Sequence, residues 1–304
     1  MTLKQLEAFY WAATLGTFAI AAERLHVTQS TLSKRIAELE DSLGNALFDR
    51  SGQRAQLTPA GTALLPRVRA MLDLENDIRE TLARGEVIEG RCHVGISELS
   101  ATTWFPAFVA AVGQQYPLLQ IHPQVGLTKE LERLVERGKL DCAVVTGSSV
   151  SADLHCETIA EVDFSWMASP ARLKRGTVLD AARMALHPVI ASSVDSGLAE
   201  PLQAWATHAG VQLREVLPCN SLTTILAMTV AGMGISFLPR HYVQPLVRRK
   251  MLVELRSDPP LPTIAYRFIR RRDDTRQLVA RMRAAVVQEI DFDMPNPLWS
   301  AGSV

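Results

Sequence analysis

Phe18-Ala19-Ile20-Ala21-Ala22-Glu23-Arg24-Leu25-His26-Val27-Thr28-Gln29-Ser30-Thr31-Leu32-Ser33-Lys34-Arg35-Ile36 sets two apolar stripes of helical period on either side of a short break. Phe18, Ala21, Ala22 and Leu25 share one face of the first run, and the paired alanines let a neighbouring helix approach closely. After His26-Val27, Thr28 supplies a hydroxyl cap for a second run, whose Leu32, Ile36, Leu39 and Leu43 form its buried stripe. Upstream, Leu3, Leu6, Phe9 and Tyr10 recur at helical spacing until Gly16-Thr17, a stop followed by a new cap. The spacing predicts three helices, the last two joined by a tight turn as a helix-turn-helix.

With Leu32, Ile36 and Leu39 turned inward, the opposite face of the third helix carries Ser30, Ser33, Lys34 and Ala37, with Gln29 at its exposed start. No carboxylate stands on the first two turns of that face. Hydroxyl, amide and basic groups reach base edges, whereas a carboxylate is repelled by phosphate. A solvated face of a core helix carries the same residue types, so this helix alone leaves both readings open. The next segment separates them. Leu47-Phe48-Asp49-Arg50 and Arg54-Ala55-Gln56-Leu57 flank Ser51-Gly52-Gln53, a short hairpin with Arg50 and Arg54 at its shoulders. Guanidinium groups on a hairpin tip suit phosphate or minor-groove contact, which is the work of a wing. Thr58-Pro59 then provides an N-cap and a proline at the first position of another helix.

Taken together, Leu6-Glu7-Ala8-Phe9, the run from Phe18 to Ser30, Leu32-Ser33-Lys34-Arg35-Ile36, Leu39-Glu40, Leu43-Gly44, Leu47-Phe48-Asp49-Arg50 and Leu57-Thr58-Pro59-Ala60-Gly61 resemble the LysR-type transcriptional regulators. The resemblance covers the first 61 residues. It implies that Gln29, Ser30, Ser33 and Lys34 read the major groove and that Arg50 and Arg54 serve the wing. Many members of the family carry proline at the place of Ser30.

Bulk properties are consistent with such a protein but do not announce it. The 304 residues exceed one small core, and 47% hydrophobic with 21% charged residues is ordinary globular composition. No uninterrupted apolar stretch approaches the roughly 18 residues of a membrane span, and the N-terminal residues lack a signal-peptide layout, so a cytoplasmic location is expected. The formal net charge is zero, and residues 1–66 also balance, with Lys4, Arg24, Lys34, Arg35, Arg50 and Arg54 against Glu7, Glu23, Glu38, Glu40, Asp41 and Asp49. The usual basic footprint of a nucleic-acid binder is missing, and the position of each charge has to carry the reading. Cys92, Cys142, Cys156 and Cys219 form no C-x-x-C pair and read as buried thiols, so neither a metal nor a cofactor is expected.

Residues 59–88 read as a linker helix too apolar to stand alone in water, with Val68, Met71, Leu72 and Ile78 along it and Pro66 marking a bend or the true start. The resemblance implies antiparallel pairing with the same helix of a second subunit. Beyond Gly90, short apolar runs alternate with helical ones, which indicates an α/β domain of two similar lobes. The resemblance adds that such effector domains are similar to periplasmic binding proteins. The expected architecture is thus α/β: a winged helix-turn-helix (1–58), a linker and dimerisation helix (59–88) and a two-lobed effector-binding domain (89–304). Lobe I takes 89–162 and 267–304, and lobe II takes 163–266.

In such folds ligands lie at the carboxyl ends of the strands, where helix starts receive anions. Ser97, Ser100 and Thr102 follow the first strand, Thr128 stands at a helix start, Ser193 and Ser196 follow a strand of the second lobe, and Asn220 precedes a helix. Each is also an ordinary capping residue, and their shared position is the signal. They predict a small organic anion as effector. Trp104, Phe105, Phe164 and Trp166 are either apolar walls of that crevice or core. The rival reading is a small-molecule-binding or enzymatic α/β domain with no regulatory role. It finds little support, since no G-x-S-x-G, H-E-x-x-H, P-loop or G-x-G-x-x-G occurs and no histidine lies beside an evident nucleophile. The expected partners are promoter DNA, the effector, further copies of the chain as a homodimer or homotetramer, and RNA polymerase, with no membrane.

Overall fold

The computed structural model describes residues 1–49, 56–82, 88–147, 151–211, 213–215, 218–274, 276–294 and 296. The hairpin tip with Arg50 and Arg54 lies outside the described residues. Helix α1 (Leu3–Leu15) begins with a capping box: Thr2 accepts the Gln5 N–H and Gln5 accepts the Thr2 N–H. It stops at Gly16, whose φ of 70° is the left-handed value a glycine adopts without strain. Helices α2 (Phe18–Arg24) and α3 (Gln29–Leu43) start on the hydroxyls of Thr17 and Thr28. Strands β1 (Phe48–Asp49) and β2 (Gln56–Leu57) pair antiparallel as the base of the wing, and α4 (Pro59–Leu82) follows. Leu6, Phe9, Leu32, Ile36, Leu39 and Val68 close one small core.

That last residue corrects the linker reading. Val68 is 1% exposed inside the core of the winged domain because α4 packs on α1, and Leu72 leans on the same core. Among the described large apolar side chains of α4, Met71 and Leu74 look outward, at 43% and 58% exposure. The Ile78 side chain lies outside the described residues.

The larger domain opens with β3 (Gly90–Ile96), α5 (Glu98–Thr102), α6 (Phe105–Gln115), β4 (Leu119–Val125), α7 (Thr128–Glu136), β5 (Cys142–Thr146) and β6 (Leu154–Val162). The chain then crosses into a second lobe: β7 (Phe164–Ala168), β8 (Val178–Leu179), α8 (Ala181–Leu186), β9 (Pro188–Ile190), α9 (Ala199–His208), β10 (Arg214–Glu215), α10 (Leu222–Val230), β11 (Ile235–Pro239), α11 (Gln244–Arg248) and β12 (Val253–Ser257). It returns through β13 (Ile264–Arg271) and ends on α12 (Gln277–Glu289). The first sheet has the order β4-β3-β5-β13-β6 and the second β10-β9-β11-β7-β12-β8. Strand β13 joins the first sheet from Ile264 onward, pairing with Val162, so residues 264–266 belong to lobe I rather than lobe II.

Strand β5 explains why the first lobe holds together. Cys142 and Val144 point into the main core, Ala143 and Val145 into a second cluster with Leu131, Val135 and Ile269, and both faces are covered. Strand β6 was not expected from sequence. It lies at the sheet edge with a single neighbour, and its half-buried Glu157 interrupts any apolar run. Cys92 and Cys142 are buried as expected, whereas Cys156 is exposed and Cys219 half-buried.

Glu40 is the carboxylate that joins α3 to the wing. It is 9% exposed, and its Oε1 accepts the N–H groups of Leu47 at 2.8 Å and Phe48 at 3.1 Å. Glu40→Ala leaves two backbone donors without that acceptor, and we expect a loss of about 2 to 3 kcal/mol in the stability of the winged domain. Glu40→Gln, which keeps one acceptor oxygen, should lose less. Denaturant unfolding of the three proteins checks the ranking.

Candidate functional site

Helix α3 turns Leu32, Ile36 and Leu39 into the core, which leaves Gln29, Ser30 and Lys34 exposed and Ser33 half-buried. The start of the helix is a cluster of hydroxyls: Thr28 Oγ1 accepts the Thr31 N–H at 3.2 Å and lies 2.9 Å from Ser30 Oγ. An exposed helix start of this kind offers N–H groups to a phosphate. The first carboxylate on α3 is Glu38, on its third turn, where it accepts a hydrogen bond from Gln5 Nε2 at 3.0 Å. The four residues read from sequence on this helix therefore share one outward, acid-free surface.

A second site lies between the lobes. A cavity of about 280 Å³ opens where β3 and β5 end, against the starts of α7 and α10. Ser97, Thr128, Ser196 and Asn220 line it, together with Thr146, Ser192, Phe164 and Tyr266. Ser100, Thr102 and Ser193 do not. Ser100 is wholly buried, with its hydroxyl 3.0 Å from Ser97 Oγ. The Thr102 hydroxyl reaches Tyr242 Oη of the second lobe at 3.1 Å and so ties the lobes together. The Ser193 hydroxyl is buried with no hydrogen-bond partner among the described residues. Thr128 lies in the first turn of α7 but does not cap it; its hydroxyl donates to the Thr146 carbonyl at 3.2 Å. Of the aromatics, Phe164 forms a wall, whereas Trp104 and Trp166 are fully buried core.

The start of α10, where sequence places an incoming anion, is taken by the protein itself. Glu98, from lobe I, reaches across the cleft: Leu222 N–H donates to Oε2 at 2.6 Å, and Thr223 N–H and Oγ1 donate to Oε1 at 3.1 and 2.7 Å. A carboxylate at a helix start satisfies donors that the helix leaves unpaired and complements its dipole. Glu130 is the other acidic residue of the lining, and no lysine or arginine lines the cavity among the described residues. Sequence reasoning missed Glu98. Its only trace was an acid in the first turn of a helix, which reads equally well as a match to that helix's own dipole.

The lobes also touch on the far side of the cavity. Lys129 N–H donates to the Asp195 carbonyl at 3.2 Å, and the Gly197 backbone packs directly on Thr146. A Cβ at Gly197 would stand 2.1 Å from the Thr146 carbonyl oxygen, so only glycine permits this approach.

A family model described as bacterial regulatory helix-turn-helix protein, lysR family, matches residues 3–62, and one described as LysR substrate binding domain matches residues 85–291. Among curated relatives, the uncharacterized HTH-type transcriptional regulator YfeR of Shigella flexneri is 26% identical, over 87% of this chain and 91% of its own length. The HTH-type transcriptional regulator YofA of Bacillus velezensis is 27% identical, over 81% and 84%. Among solved structures, a full-length OxyR variant from Pseudomonas aeruginosa superposes with a TM-score of 0.63 at 22% identity, over 96% of this chain and 99% of that one. HinK, a LysR family transcriptional regulator from the same organism, gives 0.57 at 22% identity, over 94% and 97%. At these identities the two structures are similar in fold.

The Gly197 contact yields a direct test of how the lobes are held. Gly197→Val must push the loop away from Thr146, at an expected cost of about 1 to 3 kcal/mol as overpacking. The variant should melt at a lower temperature and show a larger radius of gyration in small-angle scattering.

Proposed function

The chain belongs to the LysR family, transcriptional regulators that pair a helix-turn-helix DNA-binding domain with an effector-binding domain, and we propose which of its residues carry each half of that work. The observation that carries the DNA half is the outward face of α3, where Gln29, Ser30 and Lys34 are exposed beside Ser33 with no carboxylate on the first two turns. Ser33 and Gln29 read base edges, Lys34 engages phosphate, and Arg50 and Arg54 extend the contact from the wing. The three-part division at residues 58 and 88 is part of this proposal. So is pairing between subunits through Met71 and Leu74, the exposed large apolar side chains among the described residues of α4. The reading assigns the chain no catalytic step, in keeping with curated relatives that are themselves transcriptional regulators. No described helix is long and apolar enough to cross a membrane. A cytoplasmic site of action, on promoter DNA and with RNA polymerase as the eventual recipient of the signal, follows from the same reading.

The effector half departs from the organic anion expected from sequence. Glu98 already saturates the start of α10, and the described lining adds Glu130 but no base. A free carboxylate entering this cavity would meet two like charges with no counter-ion, whereas an amine or a neutral polar group would meet acceptors. We therefore propose a neutral or positively charged small molecule with an apolar body resting on Phe164, Leu198 and Leu222, held by Ser97, Thr128, Ser196 and Asn220.

Two measurements test the two halves. Ser33→Ala should relax sequence preference at one position of each half-site by about 1 to 3 kcal/mol, and Lys34→Ala should weaken binding to all sequences and lower the salt slope by about 1. Selection from a random duplex library followed by salt titration reads both, and unchanged preference and slope would move the interface elsewhere. For the effector, thermal-shift titration of the full chain with acetate and with small amines should leave wild type insensitive to acetate. Glu98→Ala should gain an acetate-dependent stabilisation, because the added anion takes the vacated place on α10. Wild type stabilised by simple carboxylates would return the effector to the anion class.

A further inference from the structure

The strands that end at the cleft begin at the DNA-binding domain. β3 and β5 run parallel, with their carboxyl ends at Ser97 and Thr146 in the cavity wall. β13 runs the opposite way, from Tyr266 in that wall to Arg271. At the far edge, helices α1 and α2 sit directly on the amino ends of β3 and β5. The Asp141 side chain, with no exposed surface, lies 2.7 Å from Arg24 Nη2 of α2 and 2.7 Å from Arg276 Nη2 of its own domain. Its other oxygen accepts the His93 N–H at 2.7 Å, and the Asp141 N–H donates to the His93 carbonyl at 2.8 Å, so the carboxylate is clamped to both strands. The Trp11 ring of α1 lies under the Arg24 guanidinium at 4.9 Å and the Arg276 guanidinium at 5.8 Å. Tyr10 Oη donates to the Asp273 carbonyl at 2.7 Å, and Lys139 pairs with Glu23 at 3.5 Å.

We infer that Arg24, Asp141 and Arg276 form a reversible latch between the DNA-binding domain and lobe I, a second route besides the linker helix by which the cleft acts on the DNA-reading surface. The charge arrangement is what makes it reversible. Burial alone would raise the Asp141 carboxyl, but the Arg276 and Arg24 guanidiniums outweigh it and hold it below its usual value, so the group is ionised. If the domains part, Asp141 keeps Arg276, which Asp274 also holds, and Arg24 passes into water together with the face of Asp141 that it covered, so the surplus carboxylate is hydrated rather than stranded. Both arrangements are therefore accessible, which a switch between two states requires. While latched, the chain keeps Gln29, Ser30 and Lys34 exposed, so the latch sets the orientation of the reading face relative to the cleft rather than covering it. The link from cleft to latch rests on the effector reading above; the latch itself does not.

The Lys139–Glu23 pair reports the latch without ligand or DNA. A water-soluble carbodiimide joins an amine to a carboxylate only in direct contact, and mass spectrometry on mixed isotope-labelled and unlabelled full-length chains separates intrachain from interchain products. Wild type should give the intrachain Lys139–Glu23 link, Arg24→Gln should lower its yield at least fivefold, and Arg24→Lys should restore part of it. An unchanged yield in Arg24→Gln, or a link formed only between chains, overturns the latch. Glu98→Ala, remote from the latch, should change the yield at least twofold, and an unchanged yield removes the coupling to the cleft. Because the readout uses no effector, a wrong ligand class would fail the acetate titration and leave this result standing.

Discussion

Strands β3 and β5 run side by side through the middle of lobe I, and β5 has both faces covered, with alternate side chains in the main core and in the cluster around Leu131 and Ile269. A strand buried in this way has only its two ends available for polar chemistry. The carboxyl ends border the inter-lobe cavity, and the amino ends receive α1 and α2. The antiparallel β13 spans the same two edges in reverse. The position of the inter-lobe cavity and that of the domain contact are thus one consequence of a doubly covered sheet.

Three carboxylates perform the same physical task at the three joints of the molecule. Glu40 receives two backbone N–H groups of the wing, Glu98 two from α10, and Asp141 one from β3. A buried or half-buried carboxylate with several N–H donors is a strong acceptor and fixes the relative position of two elements. This use of acids also reconciles a net charge of zero with an exposed α3 face that bears no carboxylate on its first two turns. Glu40 lies on α3 but faces inward, so the repulsion its charge would cause on the exposed face does not arise.

Much of the fold was legible from local pattern. Thr17 and Thr28 cap the helices that follow them, and Gly16 ends a helix in left-handed conformation. Periods of 3.6 and 2 mark most of the longer helices and strands, since burial on one face is a local demand repeated along the chain. β6 escaped because an edge strand need not be apolar, and Val68 was misassigned because an apolar position on a helix does not say which neighbour covers it. In the cleft, Ser97, Thr128, Ser196 and Asn220 line the cavity while Ser100, Thr102 and Ser193 do not, although all seven are polar residues that follow strands or stand beside short helices. Residue type reported proximity to strand ends; the turn of each short helix chose the direction.

By itself, then, the sequence determined the helix-turn-helix, most of the longer helices and strands and the two-lobed plan, because each of these is written in neighbours within one or two turns, whereas β6, β8, α8, α11 and β12 were not read from it. Tertiary structure alone decided the partners of charge. Glu98 and Leu222 are 124 positions apart, Arg24 and Asp141 are separated by most of the winged domain, the linker and half of lobe I, and neither pair leaves a periodic trace. An ion pair or a cap supplied from afar depends on where two surfaces meet, and that is set by the packing of whole cores rather than by the residues that end up touching.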